Sequence, residues 1–148
     1  RGSCLRNWAR AICLPSSPDE ISIRTHTFNR GARPLANRVR SLFSEYRIHG
    51  QLVFTAGQVG DDTNPDTRVQ TKQALDKMKK LLKSAGTSMD KVLKTNVYLA
   101  DMDECYEPMN DVYRRYFKNP PARVVIEVPS VGAKKGCKVK IDVVAFVP

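Results

Sequence analysis

The sequence is short of the residues from which catalytic sites are most often built. It has two histidines, His26 and His49, with no ligand or relay partner close by in sequence, so the commonest general acid–base side chain is scarce. The four cysteines, Cys4, Cys13, Cys105 and Cys137, fit no C-x-x-C or Cys/His spacing, which leaves neither a zinc site nor a disulfide framework to argue for. No Walker lysine loop, dinucleotide fingerprint, zinc-protease helix or G-x-S-x-G elbow occurs. Gly57 and Gly60 give only G-x-x-G, which a turn explains. The longest apolar runs, such as 143–147, fall far short of the ~20 residues that cross a bilayer, so no transmembrane helix and no membrane partner are expected.

What is present fits one small domain. The chain has 148 residues, 41% of them hydrophobic, enough for a single core but not for two. Lys and Arg number 25 against 15 Asp and Glu, for a net charge of +10. That balance suits an anionic partner, whether a small carboxylate, a nucleic acid or a membrane surface. The charge is uneven: residues 1–47 hold nine arginines, no lysine and three acids. Residues 1–37 carry Pro15, Pro18 and Pro34 and no sustained periodicity, and read as a basic arm. An Arg-rich, acid-poor arm with Ser and Thr fits a mitochondrial transit segment, and equally a tag-derived or upstream stretch or a basic tail with no address. The expected location is mitochondrial or cytoplasmic. Residues 38–148 read as the folded domain.

Within that domain the pattern predicts strands at 39–48 and 51–56, joined by a hairpin turn at His49-Gly50. A polar loop follows from Gly57 to Asp66. The apolar positions Ala74, Leu75, Met78, Leu81, Leu82 and Ala85 share a helical face, which predicts a helix over 69–85, capped by Asp66 or Thr67 and ended by a left-handed Gly86. A strand over 91–100 should alternate, with Leu93, Thr95, Val97 and Leu99 on one side. A second helix over 103–117 contains Pro108, read as early enough to be tolerated or as marking the true first turn. Strands at 123–128 and 139–147 complete the order β-β-α-β-α-β-β. Two helices can cover only one face of such a sheet, so the other face should meet another copy of the chain.

One residue stands out chemically. Arg123 opens a strand directly after Pro120-Pro121-Ala122. A guanidinium at a buried strand start needs a partner, because its desolvation is costly. Its planar fork suits a carboxylate. That carboxylate could be a ligand's or the chain's own, such as Glu127 or Asp142.

An ordered set of segments now carries a family resemblance: 51–59 (QLVFTAGQV), Gln73-Ala74-Leu75, 90–101 (DKVLKTNVYLAD), 110–117 (NDVYRRYF), Pro121-Ala122-Arg123 and 139–145 (VKIDVVA). Together they resemble the RidA/YjgF family, also called L-PSP or UK114-type proteins, over about 39–147. The resemblance implies an α+β fold of the chorismate-mutase-like type, a mixed sheet with two helices on one face, assembled as a homotrimer with ligand clefts between subunits. It implies hydrolysis of 2-iminobutanoate and 2-iminopropanoate to 2-oxo acids and ammonia, with no cofactor. Arg123 would clamp the substrate carboxylate, and Asn110 would line the cleft, unless it is a helix-surface or capping amide. Cys137 would lie near the cleft mouth, or serve as a small buried residue. Tyr98, Tyr106 and Tyr113 are better explained by packing than by a site role.

The chain departs from the family's pattern at three positions. Phe43 stands for the usual tyrosine, Ala56 for a serine, and Lys140 for the acid thought to orient water, with Asp142 matching the second acid of the same strand. A protonated lysine cannot accept a hydrogen bond from water. The expected activity is therefore an imine deaminase with an altered water-handling half. A carboxylate-binding trimer with little turnover is the alternative. An RNA-binding or ribonuclease-like translation inhibitor is a third reading, supported by net charge alone, so a nucleic-acid partner is not favoured.

Overall fold

The structure, a computed structural model, describes residues 42–60, 66–132 and 135–148. The basic arm and the start of the first expected strand lie outside the described residues. The observed elements are β1 (Tyr46–His49), β2 (Leu52–Thr55), β3 (Gln58–Val59), α1 (Thr67–Ser84), a 3-10 turn (Met89–Lys91), β4 (Val92–Leu99), α2 (Met102–Tyr116), β5 (Ala122–Glu127) and β6 (Val139–Phe146). They form one mixed sheet in the order β1-β2-β6-β4-β5, with β3 also paired to β6. β4 and β5 run parallel and are joined through α2; the other pairs are antiparallel. The α+β reading with a mixed sheet holds.

Both helices lie against one face. Along β6 burial alternates strictly, with Val139, Ile141, Val143 and Ala145 buried and Lys140, Asp142, Val144 and Phe146 half-exposed. The buried set meets Leu75, Met78 and Leu82 of α1 and Met109 of α2 in the core. Among the described residues, the second face is covered by no helix. Leu52 and Phe54 of β2 and Val124 and Ile126 of β5 stand 38–45% exposed there. Asn96, Tyr98, Lys140 and Asp142 lie between them by register.

The helix ends follow from capping. The Asp66 side chain accepts from the Arg68 amide at 2.8 Å, so Asp66 is the cap and α1 starts at Thr67. Gly86, with φ +81°, takes the left-handed position just past Ala85. For α2, Asp101 accepts from the Glu104 amide at 2.7 Å, and Glu127, at the end of β5, takes the Met102 amide at 2.8 Å. Two carboxylates thus satisfy amides that the first turn leaves free.

Several expectations need correction. Pro108 lies inside α2, past the first turn; the helix tolerates it at the loss of one backbone bond. β1 begins only at Tyr46, and Leu42 and Phe43 before it are exposed rather than strand. The hairpin turns through Gly50-Gln51, with Gly50 at φ +56° and His49 paired to Leu52. The segment after Gly57 is not all loop: Gln58 and Val59 form β3 against Ile141 and Lys140. β4 does not alternate throughout. Its register against β6 shifts between Val92 and Lys94, so Val92 is buried and Leu93 is 46% exposed. A bulge of this kind turns consecutive side chains to one face and is invisible to a period-two reading.

Candidate active site

The expected site residues fall into two groups, and the sheet separates them. Arg123 pairs across the ladder with Thr95, which pairs with Val143. Val143 is buried under the helices, so Arg123 belongs to the helix side, at the outer strand β5. Lys140 pairs with Tyr98 and Asp142 with Asn96. Those positions have the opposite parity and point to the uncovered face. Arg123 and Lys140 therefore lie on opposite sides of the sheet in one chain.

On the helix side, α2 builds the cradle for Arg123. Tyr106, Asn110 and Tyr113 recur at helical spacing and form one stripe facing β5. Arg123 Nη1 donates to Asn110 Oδ1 at 2.7 Å, and Asn110 is buried. The guanidinium carbon lies 4.9 Å from the Tyr113 ring centre and 6.0 Å from that of Tyr106, within reach of a cation–π attraction. The Tyr113 and Thr95 hydroxyls share a hydrogen bond of 2.7 Å. Burial pushes the Tyr113 hydroxyl above its ordinary pKa, although Thr95 and the Arg123 charge pull the other way, so the ring stays a neutral platform. Among the described residues no carboxylate pairs with Arg123. Both intramolecular candidates are engaged elsewhere: Glu127 caps α2, and Asp142 accepts from Asn96 Nδ2 at 2.8 Å. With one donor committed to the amide of Asn110, the rest of the fork remains available.

On the uncovered face, a pocket of about 220 Å³ is lined by Thr55, Gly57, Tyr98, Ser130, Lys140 and Asp142, with Val128 and Val131. A local irregularity shapes it. Phe54 pairs with Val144 and Gln58 with Ile141, so one extra residue is accommodated between β2 and β3. Thr55 Oγ1 accepts from the Val143 amide at 2.9 Å and donates to its carbonyl at 3.1 Å, doing for the ladder what backbone would do in a regular strand. This brings the Gly57 Cα against the stem of Lys140. A methyl on Gly57 would overlap Lys140 Cε and press on Cγ at 3.1 Å. Burial, then the charge and hydrogen bond of Asp142, raise the Tyr98 hydroxyl above its ordinary pKa.

The remaining expected residues are more peripheral. Phe43 is 69% exposed ahead of β1. Ala56 is half-buried beside the pocket, and its amide donates to the Glu45 carbonyl at 2.8 Å. Cys137 is buried as a free thiol, as expected of a small packing residue. Its flanks are held by Gln70 of α1, which donates to the Gly136 carbonyl at 2.9 Å and accepts from the Lys138 amide at 2.7 Å. Thr55, Thr95 and Gln70 escaped the sequence reading. Each acts through backbone or through another side chain, and no motif marks such roles. Tyr106 and Tyr113 are at once packing residues and the platform under Arg123. Among the described residues no group of His, Cys, Asp or Glu could hold a metal ion.

Comparison with known proteins agrees with this architecture. Residues 35–147 match the family described as Endoribonuclease L-PSP. A RutC family protein of Pyrococcus horikoshii is 36% identical over 104 residues, which is 66% of this chain and 80% of that protein. The human 2-iminobutanoate/2-iminopropanoate deaminase is 34% identical over 111 residues, 70% of this chain and 79% of the enzyme. Protein mmf1, mitochondrial, of Schizosaccharomyces pombe is 36% identical over 99 residues, covering 66% of this chain and 59% of that protein. Among solved structures, a member of the YjgF/YER057c/UK114 family from Mycobacterium tuberculosis superposes with a TM-score of 0.65 at 27% identity, over 71% of this chain and 86% of that one. The match over most of the sequence and the shared fold agree, and the chain belongs to the L-PSP family, the family also called RidA/YjgF.

Proposed function

We propose that the protein is a hydrolytic deaminase of 2-imino acids, working as a homotrimer in which Arg123 of one copy meets the Lys140 pocket of the next. The observation that carries this reading is Arg123 itself: a guanidinium steadied by Asn110 and Tyr113 and paired with no carboxylate of its own chain among the described residues. A fork held in this way is suited to a small carboxylate. The trimer is supported by the apolar residues exposed on the uncovered face and by the placement of the two half-sites on opposite sides of one sheet, which a second copy could bring together.

In this reading the substrate carboxylate seats on Arg123. Water adds to the imine carbon to give a carbinolamine, which expels ammonia and leaves the 2-oxo acid. The imine is already electrophilic, so positioning supplies much of the rate. Asp142, fixed by Asn96 and close to the Tyr98 hydroxyl, is the carboxylate that lines the pocket and takes the role of accepting a proton from the attacking water. Lys140 does not take that role. The likeness to the human enzyme and to its rat relative of the same name supports the substrate class. The Arg-rich residues 1–37 and the mitochondrial relatives support a mitochondrial location.

The test is release of 2-oxobutanoate and ammonia from 2-iminobutanoate generated in place by a dehydratase. Wild-type protein should accelerate the release, and Arg123→Ala and Asp142→Asn should each sharply reduce that acceleration. A wild type with no acceleration overturns the reading. The second reading, a carboxylate-binding trimer with little turnover, is favoured by Lys140 standing where the family has an acid. It predicts saturable 2-oxo acid binding, lost in Arg123→Ala, without acceleration.

A further inference from the structure

The ammonium of Lys140 has no partner in the site as described, and that gives the pocket a second recognition element. The Lys140 side chain takes part in no ion pair or hydrogen bond among the described residues. The neighbouring carboxylate, Asp142, lies two positions along the same strand face and is already served by Asn96 and by Tyr98. The lysine stem is laid over the Gly57 Cα, where any side chain would displace it. Thr55 and Ser130 form part of the same walls. The pocket holds about 220 Å³, below the ~300–1,000 Å³ of sites for drug-sized ligands, so its occupant is a small metabolite.

We propose that Lys140 binds a second carboxylate, so that the site selects 2-imino and 2-oxo dicarboxylates over monocarboxylates. This rests on the reading above, in which Arg123 from an adjoining copy holds the carboxylate next to the reacting carbon. One end of the ligand then sits on a guanidinium and the other on an ammonium, with the reacting carbon between them and beside Asp142. A monocarboxylate leaves the lysine unpartnered. A charge-assisted contact of this kind discriminates by roughly tenfold or more.

The experiment is titration of the full chain with 2-oxobutanoate, oxaloacetate and 2-oxoglutarate, followed by calorimetry. Wild-type protein should bind at least one of the two diacids about tenfold more tightly than 2-oxobutanoate. Lys140→Gln should erase that preference, whereas Lys140→Arg should keep most of it. Gly57→Ala, which pushes the lysine aside without touching its charge, should reduce the preference as well. Equal affinity for mono- and diacids, or a preference that survives Lys140→Gln, overturns the inference while leaving an Arg123-dependent deaminase standing. A Lys140-dependent diacid preference without imine turnover keeps the inference and overturns the deaminase. Failure to bind any of the three acids overturns the inference.

Discussion

The two faces of the sheet are made by the same strands yet obey different rules. On β6 the covered residues Val139, Ile141, Val143 and Ala145 are apolar and fully enclosed. Their alternates Lys140, Asp142, Val144 and Phe146 mix charge with apolar surface. The covered face accepts any set of apolar side chains of suitable volume, so it specifies the fold and says little about chemistry. On the open face each side chain's identity matters, because a charge or an amide there either finds a defined partner or waits for one. Along β6, period-two alternation thus sorts the strand into a core-forming set and a pocket-lining set.

The sharpest way to break this comparison is to truncate matched residues on either side of β6. Ile141→Ala should lower unfolding free energy by about 2–5 kcal/mol, as a large-to-small change in an enclosed core does. Val144→Ala should cost far less in the isolated chain and show instead in self-association. Denaturant melts and sedimentation measure the two effects, and equal losses of stability would mean that the faces are not distinct. Next in size, Arg123→Ala should reduce kcat/KM for imine hydrolysis by about 100-fold, in line with the ~1.5–3 kcal/mol of a hydrogen bond to a charged group. Its melting temperature should hardly move, because the guanidinium is exposed and carries no ion pair among the described residues. Asn110→Ala removes the amide that steadies the guanidinium and should cost about fivefold, mostly in KM, because it acts on the substrate only through Arg123.

The smallest effect concerns the outer surface of the helices. Tyr116 donates to Asp76 Oδ1 at 2.7 Å. Burial, then the Asp76 hydrogen bond and charge, push its hydroxyl up to about 12, above the ordinary tyrosine value of 10.0. The folded state therefore favours the neutral phenol. The stabilisation is full below pH 10 and is lost as pH rises toward 12. Wild-type stability should fall more steeply over that window than that of Tyr116→Phe, measured as denaturant midpoints across the alkaline range.

Much of this architecture is legible in the sequence. The apolar stripe of α1 and its Asp66 and Gly86 ends come from local rules that the structure obeys. So does the alternation of β6. The missed features are those in which one segment answers another. Leu93 faces out because of how β4 registers on β6, and no window around residue 93 contains that information. Pro108 sits well inside α2 because Asp101 and Glu127, the latter from a distant strand, fix where the helix starts. The site shows the same limit. Arg123 and Asn110 could be named from the pattern, and their contact is observed. That Lys140 lies across the sheet from them follows only from the ladder.

The extra residue between Thr55 and Gly57 has a consequence for engineering. Removing one residue there would let the second and third strands fuse into a single unbroken one, with Phe54 and Gln58 keeping their present partners. Backbone amides would replace the threonine hydroxyl in the ladder, and the shortened chain should resist heat better. It would also lose the kink that seats a glycine under the lysine stem. Thermal robustness and ligand choice are set against each other at this one spot.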